Sequence, residues 1–189
     1  MRISKDIIQT ILLALVIYLV LQSTMQTRLV LGASMEPSLQ SGERVWVSKI
    51  VYRRISWLSS LRSEGYLFHR PHRGDVVIFH PYLTSPEDYI KRVIGLPGEV
   101  IEVKGGTVYI NGRPLEEPYI ENRPAYSLPP TTIPADHYFL LGDNRNASVD
   151  SHNLQTIGPV PFKNFIGKAW FSYWPPKSWG GVPNHSFSF

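Results

Sequence analysis

Residues 7–21, IIQTILLALVIYLVL, carry no charge and only two polar side chains, Gln9 and Thr10. As a helix, fifteen residues reach roughly 22 Å, short of the roughly 30 Å hydrocarbon layer. Counted from Ile3 to Met25 the segment is long enough, with Lys5 and Asp6 at the interface. The charged start and the length of the run also suit a cleaved leader. No small-x-small cleavage site follows until Leu31-Gly32-Ala33, however, so an uncleaved anchor is expected. Arg2 and Lys5 before the run, against Arg28 after it, place the N-terminus in the cytoplasm. The expected division is residues 1–6 cytoplasmic, 7–25 transmembrane and 26–189 beyond the membrane.

At 189 residues the chain supports one domain plus that anchor. Strand-like runs recur after it: Arg44–Lys49, Asp75–His80, Tyr89–Ile94, Val100–Val103, Thr107–Ile110, His137–Leu141 and Ala169–Tyr173. Gly105-Gly106 and Asn111-Gly112 are hairpin turn signals between alternating apolar residues. Six prolines between Pro114 and Pro134 rule out a central strand there and suggest an extended excursion over the surface. No long helical periodicity follows the anchor, so a mainly β fold with a single β-rich domain is expected. With no cysteine, no disulfide holds it.

The net charge of +4 is too diffuse to point to nucleic acid. One stretch is less balanced. Lys49, Arg53, Arg54, Arg62, Arg70 and Arg73 face a single acid, Glu64, with Tyr52, Trp57, Tyr66 and Phe68 interleaved. This is either a solvated basic loop or a contact with anionic lipid, since cations and aromatics both favour the headgroup layer.

Common catalytic motifs fail. There is no H-E-x-x-H, Walker loop or G-x-G-x-x-G, and G-A-S-M-E around Ser34 breaks the G-x-S-x-G elbow. His69, His72 and His80 lack an accompanying carboxylate pattern, so no metal is expected. Four segments remain: SMEPS at 34–38, RGDVVIF at 73–79, YIKRVIGLPGE at 89–99 and GDNRNASVDSH at 142–152. In the third, strand alternation sends Lys91 and Arg92 to opposite faces, so at least one meets something buried unless the strand is an exposed edge. A buried lysine loses its proton more easily and becomes a usable base for a serine hydroxyl. Asp150 and His152, two apart, allow a rival Ser34–His152–Asp150 triad. Spacing alone leaves both bases open.

All four segments, in this order behind an apolar anchor, resemble the boxes of type I signal peptidases, with the cyanobacterial and thylakoidal branch the most similar. The likeness runs from about Val30 to Ser151 and includes FIGKAWFSYWP. It implies a membrane-bound serine endopeptidase that removes signal peptides from exported preproteins, with Ser34 as nucleophile and Lys91 as general base. It further implies a Ser148 hydroxyl bonded to the Lys91 amine, Asp150 in a supporting ion-pair network, Asp143 in the same box and Met35 beside the nucleophile. His152 stands where many bacterial relatives have the arginine that pairs with that aspartate. Val30, Val45, Ile78 and Ile90 become the walls of pockets that accept Ala or Gly at an A-x-A site. The oxyanion donors would be the Ser34 N–H and a second group near Gly32, where some members carry serine.

The implied partners are preproteins and membrane lipid, without nucleic acid, metal or other cofactor. The implied location is the cell (inner) membrane or a thylakoid membrane, with the catalytic domain on the extracytoplasmic or lumenal side. Self-cleaving repressors share a serine/lysine dyad but would need a DNA-binding N-terminus; a non-catalytic anchored β-domain is the remaining rival. Lys91→Met is expected to abolish precursor cleavage while His152→Ala retains substantial activity. The reverse, in a gel-shift cleavage assay, would restore the histidine triad.

Overall fold

The apolar run forms one helix, α1 (Arg2–Thr24), of which Lys5–Thr24 is long and apolar enough to cross a membrane. Three of its hydroxyls are satisfied within the helix: Thr10 Oγ1 donates to Asp6 O at 2.9 Å, Ser23 Oγ to Val20 O at 2.8 Å and Thr24 Oγ1 to Val20 O at 2.8 Å. Such back-bonding lets Ser and Thr enter an apolar medium without an unpaired donor. The structure, a computed structural model, describes residues 2–54, 66–81, 87–185 and 187, without the side chains of 2–4.

Twelve strands follow among the described residues: β1 (Met25–Leu29), β2 (Arg44–Ser48), β3 (Val76–Phe79), β4 (Tyr89–Gly95), β5 (Val100–Lys104), β6 (Thr107–Ile110), β7 (Arg113–Pro114), β8 (Leu128–Thr132), β9 (His137–Leu141), β10 (Val160–Pro161), β11 (Phe165–Trp174) and β12 (Gly180–Gly181). The larger sheet runs β1-β2-β11-β3-β4-β9-β10, with β12 on β11, and every pairing is antiparallel. The smaller sheet runs β7-β6-β5-β8. The mainly β expectation holds. Strands β1 and β8 and the two-residue strands β7, β10 and β12 lie outside the sequence-predicted set. Strand β8 contains Pro129 and Pro130 and sits at a sheet edge, where missing N–H donors cost least. Asn111 (φ 51°) and Gly112 (φ 78°) both take the left-handed conformation that the two-residue β6–β7 turn demands.

Strand β4 passes between β3 and β9 in the middle of the larger sheet. Below it, Val30, Met35, Leu39, Val45, Val76 and Ile78 form one core cluster; Ile94, Ile101, Phe139 and Leu141 belong to another that joins the two sheets. Between these apolar groups Arg92 is fully buried. Its guanidinium takes Asp143 in two hydrogen bonds, Nε to Oδ1 at 2.8 Å and Nη2 to Oδ2 at 2.6 Å. Nη1 donates to Gly74 O at 2.8 Å and to Pro183 O at 2.7 Å. The pair therefore joins β4, the loop after β9, the turn before β3 and the C-terminal segment. Removing one partner leaves a buried charge alone, a cost of about 3–5 kcal/mol. Asp143→Ala should lose that much stability in chemical denaturation of the detergent-solubilised protein; a loss below about 1 kcal/mol would mean the pair holds little.

Candidate active site

Ser34 sits in the turn that follows β1, presented by a neighbour that cannot move. Met35 is fully buried in the core cluster under the sheet, so the backbone on either side is pinned. The carbonyl of Ser34 accepts the Asn144 N–H at 3.1 Å, which ties the turn to the loop after β9. Lys91 lies mid-strand in β4, opposite Val77 of β3. The alternation argument resolves into two buried cations on opposite faces: Arg92 reaches Asp143, and Lys91 reaches the serine.

Lys91 Nζ stands 2.7 Å from Ser34 Oγ and 2.9 Å from its neighbour's carbonyl, Ile90 O. The Tyr89 ring lies 5.4 Å from the amine. Only 4 % of Lys91 remains exposed. Burial lowers its pKa to about 8, against the opposing pull of Asp150 and then Asp143. At neutral pH roughly one molecule in ten then carries a free amine, against about one in two thousand for an unperturbed lysine. A short contact to a hydroxyl and an accessible neutral form are the two requirements of a general base.

Ser34 and Lys91 open on a groove of about 570 Å³. Val30, Val45, Ile78 and Ile90, the four sequence-predicted wall residues, all line it. Ala147 and Val149 line it too and were missed, because only the fold brings the 142–152 loop over the groove. Arg28 of β1 and Asp88, just ahead of β4, are ion-paired at 2.8 Å and both line the groove, so its two sides are fastened.

The loop residues depart from expectation in one respect. Ser148 does not bond the Lys91 amine: its Oγ is buried without a partner, and Ile90 O takes the second amine hydrogen bond. Asp143 and Asp150 are both fully buried, but they serve different ends. Asp143 takes Arg92, whereas Asp150 Oδ2 accepts the Gly142 N–H at 2.9 Å and Oδ1 accepts His152 Nδ1 at 2.7 Å. His152 makes the carboxylate contact that a triad needs, but it is not a groove residue and among the described residues it makes no hydrogen bond to Ser34, whose Oγ is met by Lys91 Nζ, so the rival triad does not assemble.

Sequence reading missed Arg145, whose guanidinium is fully buried and grips both oxygens of Glu117, with Nη1 at 2.6 Å from Oε2. Glu117 comes from the proline-rich excursion, and no local pattern in the sequence announces that pairing.

Gly32 has φ +79°, a conformation that costs a side-chain-bearing residue roughly 1–2 kcal/mol. A serine at this position would carry backbone strain, although a Cβ meets open space there. Among the described residues the Ser34 N–H makes no hydrogen bond, leaving it free for an oxyanion, while the Gly32 N–H donates to Ser41 Oγ at 3.2 Å.

His69, His72 and Asp75 bring one ligand atom each within 4.8 Å of one another. The Asp75 oxygens are already engaged by Lys168 Nζ at 2.6 Å and the Tyr52 hydroxyl at 2.7 Å, so the protein supplies its own cation there.

Gly142 is the tightest backbone contact of the site: a Cβ would lie 2.4 Å from Ser34 O and 2.3 Å from Ser148 Oγ. Gly142→Ala must displace the nucleophile's backbone. It is expected to lower kcat at least tenfold and to cost about 1–3 kcal/mol of stability. Unchanged kcat would mean the loop does not set the Ser34 position.

Residues 4–174 match the family model described as signal peptidase, peptidase S26. Signal peptidase I of Leptolyngbya laminosa is 42% identical over 176 residues, 89% of this chain and 78% of that protein. Probable signal peptidase I-1 of Synechocystis is 38% identical, covering 97% of this chain and 89% of its own. Thylakoidal processing peptidase 1 of Arabidopsis thaliana is 34% identical over 77% of this chain and 41% of that longer protein.

Proposed function

The chain belongs to the signal peptidase family, peptidase S26, and is a serine peptidase that cleaves signal peptides; we propose that it does so with Ser34 as nucleophile and Lys91 as sole general base. The observation that carries this is the 2.7 Å contact between a buried lysine amine and the serine hydroxyl at the groove. Neutral Lys91 takes the Ser34 proton as Oγ attacks the scissile carbonyl. The oxyanion forms against the Ser34 N–H. Collapse breaks the C–N bond, and the ammonium of Lys91 returns the proton to the departing amine. Water then enters and attacks the ester carbonyl as Lys91 takes its proton; collapse breaks the C–Oγ bond, the Lys91 ammonium returns the proton to Ser34 Oγ, and the signal peptide leaves with its new carboxylate.

The walls formed by Val30, Val45, Ile78 and Ile90 suit small side chains one and three residues before the cut. Added bulk clashes with aliphatic side chains packed on the core, while alanine fills the space without penalty. Ser34 lies twelve residues on from Gln22, a reach of at most roughly 40 Å, enough to hold the groove at the membrane surface.

Helix α1 would span the bilayer with its N-terminus on the cytoplasmic or stromal side, in a cell membrane or a thylakoid membrane. Of the basic 49–73 stretch, Arg62 lies outside the described residues, and Arg54 is taken by Asp136 at 2.8 Å and by the Tyr66 hydroxyl. Lipid contact is better served by Trp46 and Trp170, which are exposed and share a groove of about 700 Å³ with Leu21 in the last turn of α1 and Met25 at the start of β1. Tryptophan at that height sits in the headgroup layer.

A labelled precursor with an A-x-A site, incubated in detergent with wild type, Ser34→Ala and Lys91→Met, is the direct test. Both variants are expected to fall at least a thousandfold, and wild-type kcat/KM should climb with pH through about 8 as Lys91 loses its proton. Cleavage surviving in Ser34→Ala would overturn the mechanism.

A further inference from the structure

Arg92 and Arg145 each grip both oxygens of a carboxylate and donate to at least one carbonyl as well. Arg28 is held differently. Among the described residues its guanidinium meets one group, Asp88 Oδ2, through Nη2 at 2.8 Å. Its Nε is buried with no acceptor, while 37 % of the side chain stays open to solvent. Asp88 has no such surplus, since its Oδ1 meets His80 Nδ1 at 3.3 Å. Buried donors without acceptors are uncommon in folded proteins, and they cost stability until an acceptor arrives. This under-used guanidinium lines the groove that holds Ser34 and Lys91.

Strand geometry fixes its place along that groove. Arg28 stands two residues before Val30, and Asp88 two before Ile90, so alternation puts each on the same face as a wall residue. Burial agrees on β1, where Thr27 and Leu29 are exposed and Val30 is buried. The path from Ser34 and Lys91 to Val30 and Ile90, and on to Arg28 and Asp88, leads away from the cut. It runs towards Met25 and the end of α1, the direction from which a membrane-borne signal peptide must come. One same-face step along a strand is roughly 7 Å, the length of two extended residues. Val30 and Ile90 serve the residues one and three before the cut, so the ion pair lies level with roughly the fifth.

A peptide offers two kinds of acceptor there. An acidic side chain would meet Glu87 and Asp88, which both line the groove, and like charges repel. A backbone carbonyl is neutral and belongs to every signal peptide. We propose that Arg28 is a further substrate-binding residue: its guanidinium, held across the groove by Asp88, donates to a backbone carbonyl of the signal peptide roughly four to six residues before the cut. The contact reads extended backbone and not side chain, so it fixes the register of the chain in the small-residue pockets without narrowing the range of signal peptides. The inference rests on the groove at Ser34 and Lys91 being the place of cleavage.

The test uses the full-length protein in detergent and synthetic precursor peptides with an A-x-A site. Three of the peptides each carry one backbone ester, which weakens the carbonyl of the fourth, fifth or sixth residue before the cut. For wild type, kcat/KM is expected to fall about three- to tenfold with one of the three esters. Arg28→Met should raise KM for the all-amide peptide about tenfold, leave kcat within about twofold, and show no extra loss with that ester. The ester also removes one N–H, but that loss is common to both enzymes, so the difference between them isolates the carbonyl.

An unchanged KM in Arg28→Met, or the same ester penalty in both enzymes, would overturn the proposal and leave the ion pair a clasp between the two walls. Should Arg28→Met fail to fold with Asp88 unpaired, Arg28→Met combined with Asp88→Leu removes both charges and is judged by the same comparison. Wild type unaffected by all three esters defeats the idea without any variant. Ser34→Ala separates the two claims. Cleavage surviving there sinks the reading of the groove itself, whereas an inactive Ser34→Ala alongside ester-blind wild type sinks only the role of Arg28.

Discussion

A lysine ammonium withdrawn from water loses hydration that two nearby carboxylates restore only in part, and in this fold the balance lowers the amine's pKa to about 8, which brings the free amine within reach near neutral pH. Everything around Lys91 serves that balance. The β3–β4 pairing sets its backbone, with Val77 directly opposite. Tyr89 and Ile90 flank it on the strand, and Ile90 O accepts one amine hydrogen. The remaining contact is the serine hydroxyl it must deprotonate. A more solvated lysine would keep its proton, and a more deeply apolar site without acceptors would leave the amine donors unpaired.

The opposite face of the same strand handles charge in the opposite way. Arg92 stays ionised, because a guanidinium cannot release its proton at any useful pH and is instead given a full set of acceptors. Two adjacent buried cations thus have different fates, one brought to a pKa of about 8 at which it can release its proton and one held charged against a buried carboxylate. The loop after β9 joins the two faces. It brings Asp143 to Arg92, Gly142 against Ser34 O, and Asp150 within electrostatic range of Lys91.

Most of the strands were legible in the sequence, because short apolar runs bounded by Gly, Pro and Asn admit little else. Ser34, Lys91 and the four wall residues were legible through a family likeness, and strand alternation alone placed at least one of Lys91 and Arg92 against something buried. The local period does not carry information about partners distant in the chain. Arg145 pairs with Glu117 across a proline-rich excursion that reads as surface loop, and Ala147 and Val149 reach the groove only because that loop folds over it. Strand β1 was hidden by its composition. MQTRL has no alternating apolar face and pairs with β2 as an edge, where packing asks less of its side chains. The Ser148 expectation failed for a geometric reason, since the Lys91 amine finds its second acceptor on its own strand.

Cleavage by this route depends on the protonation state of one amine, and that state can be read directly. NMR titration of the detergent-solubilised full-length protein, with lysine labelled at Cε and Lys91→Met for assignment, reports it without turnover. A Lys91 midpoint of about 8 is the value the structure predicts. A midpoint near the free-lysine value of about 10.4 would contradict it, because the amine would then be protonated at the pH where cleavage must occur.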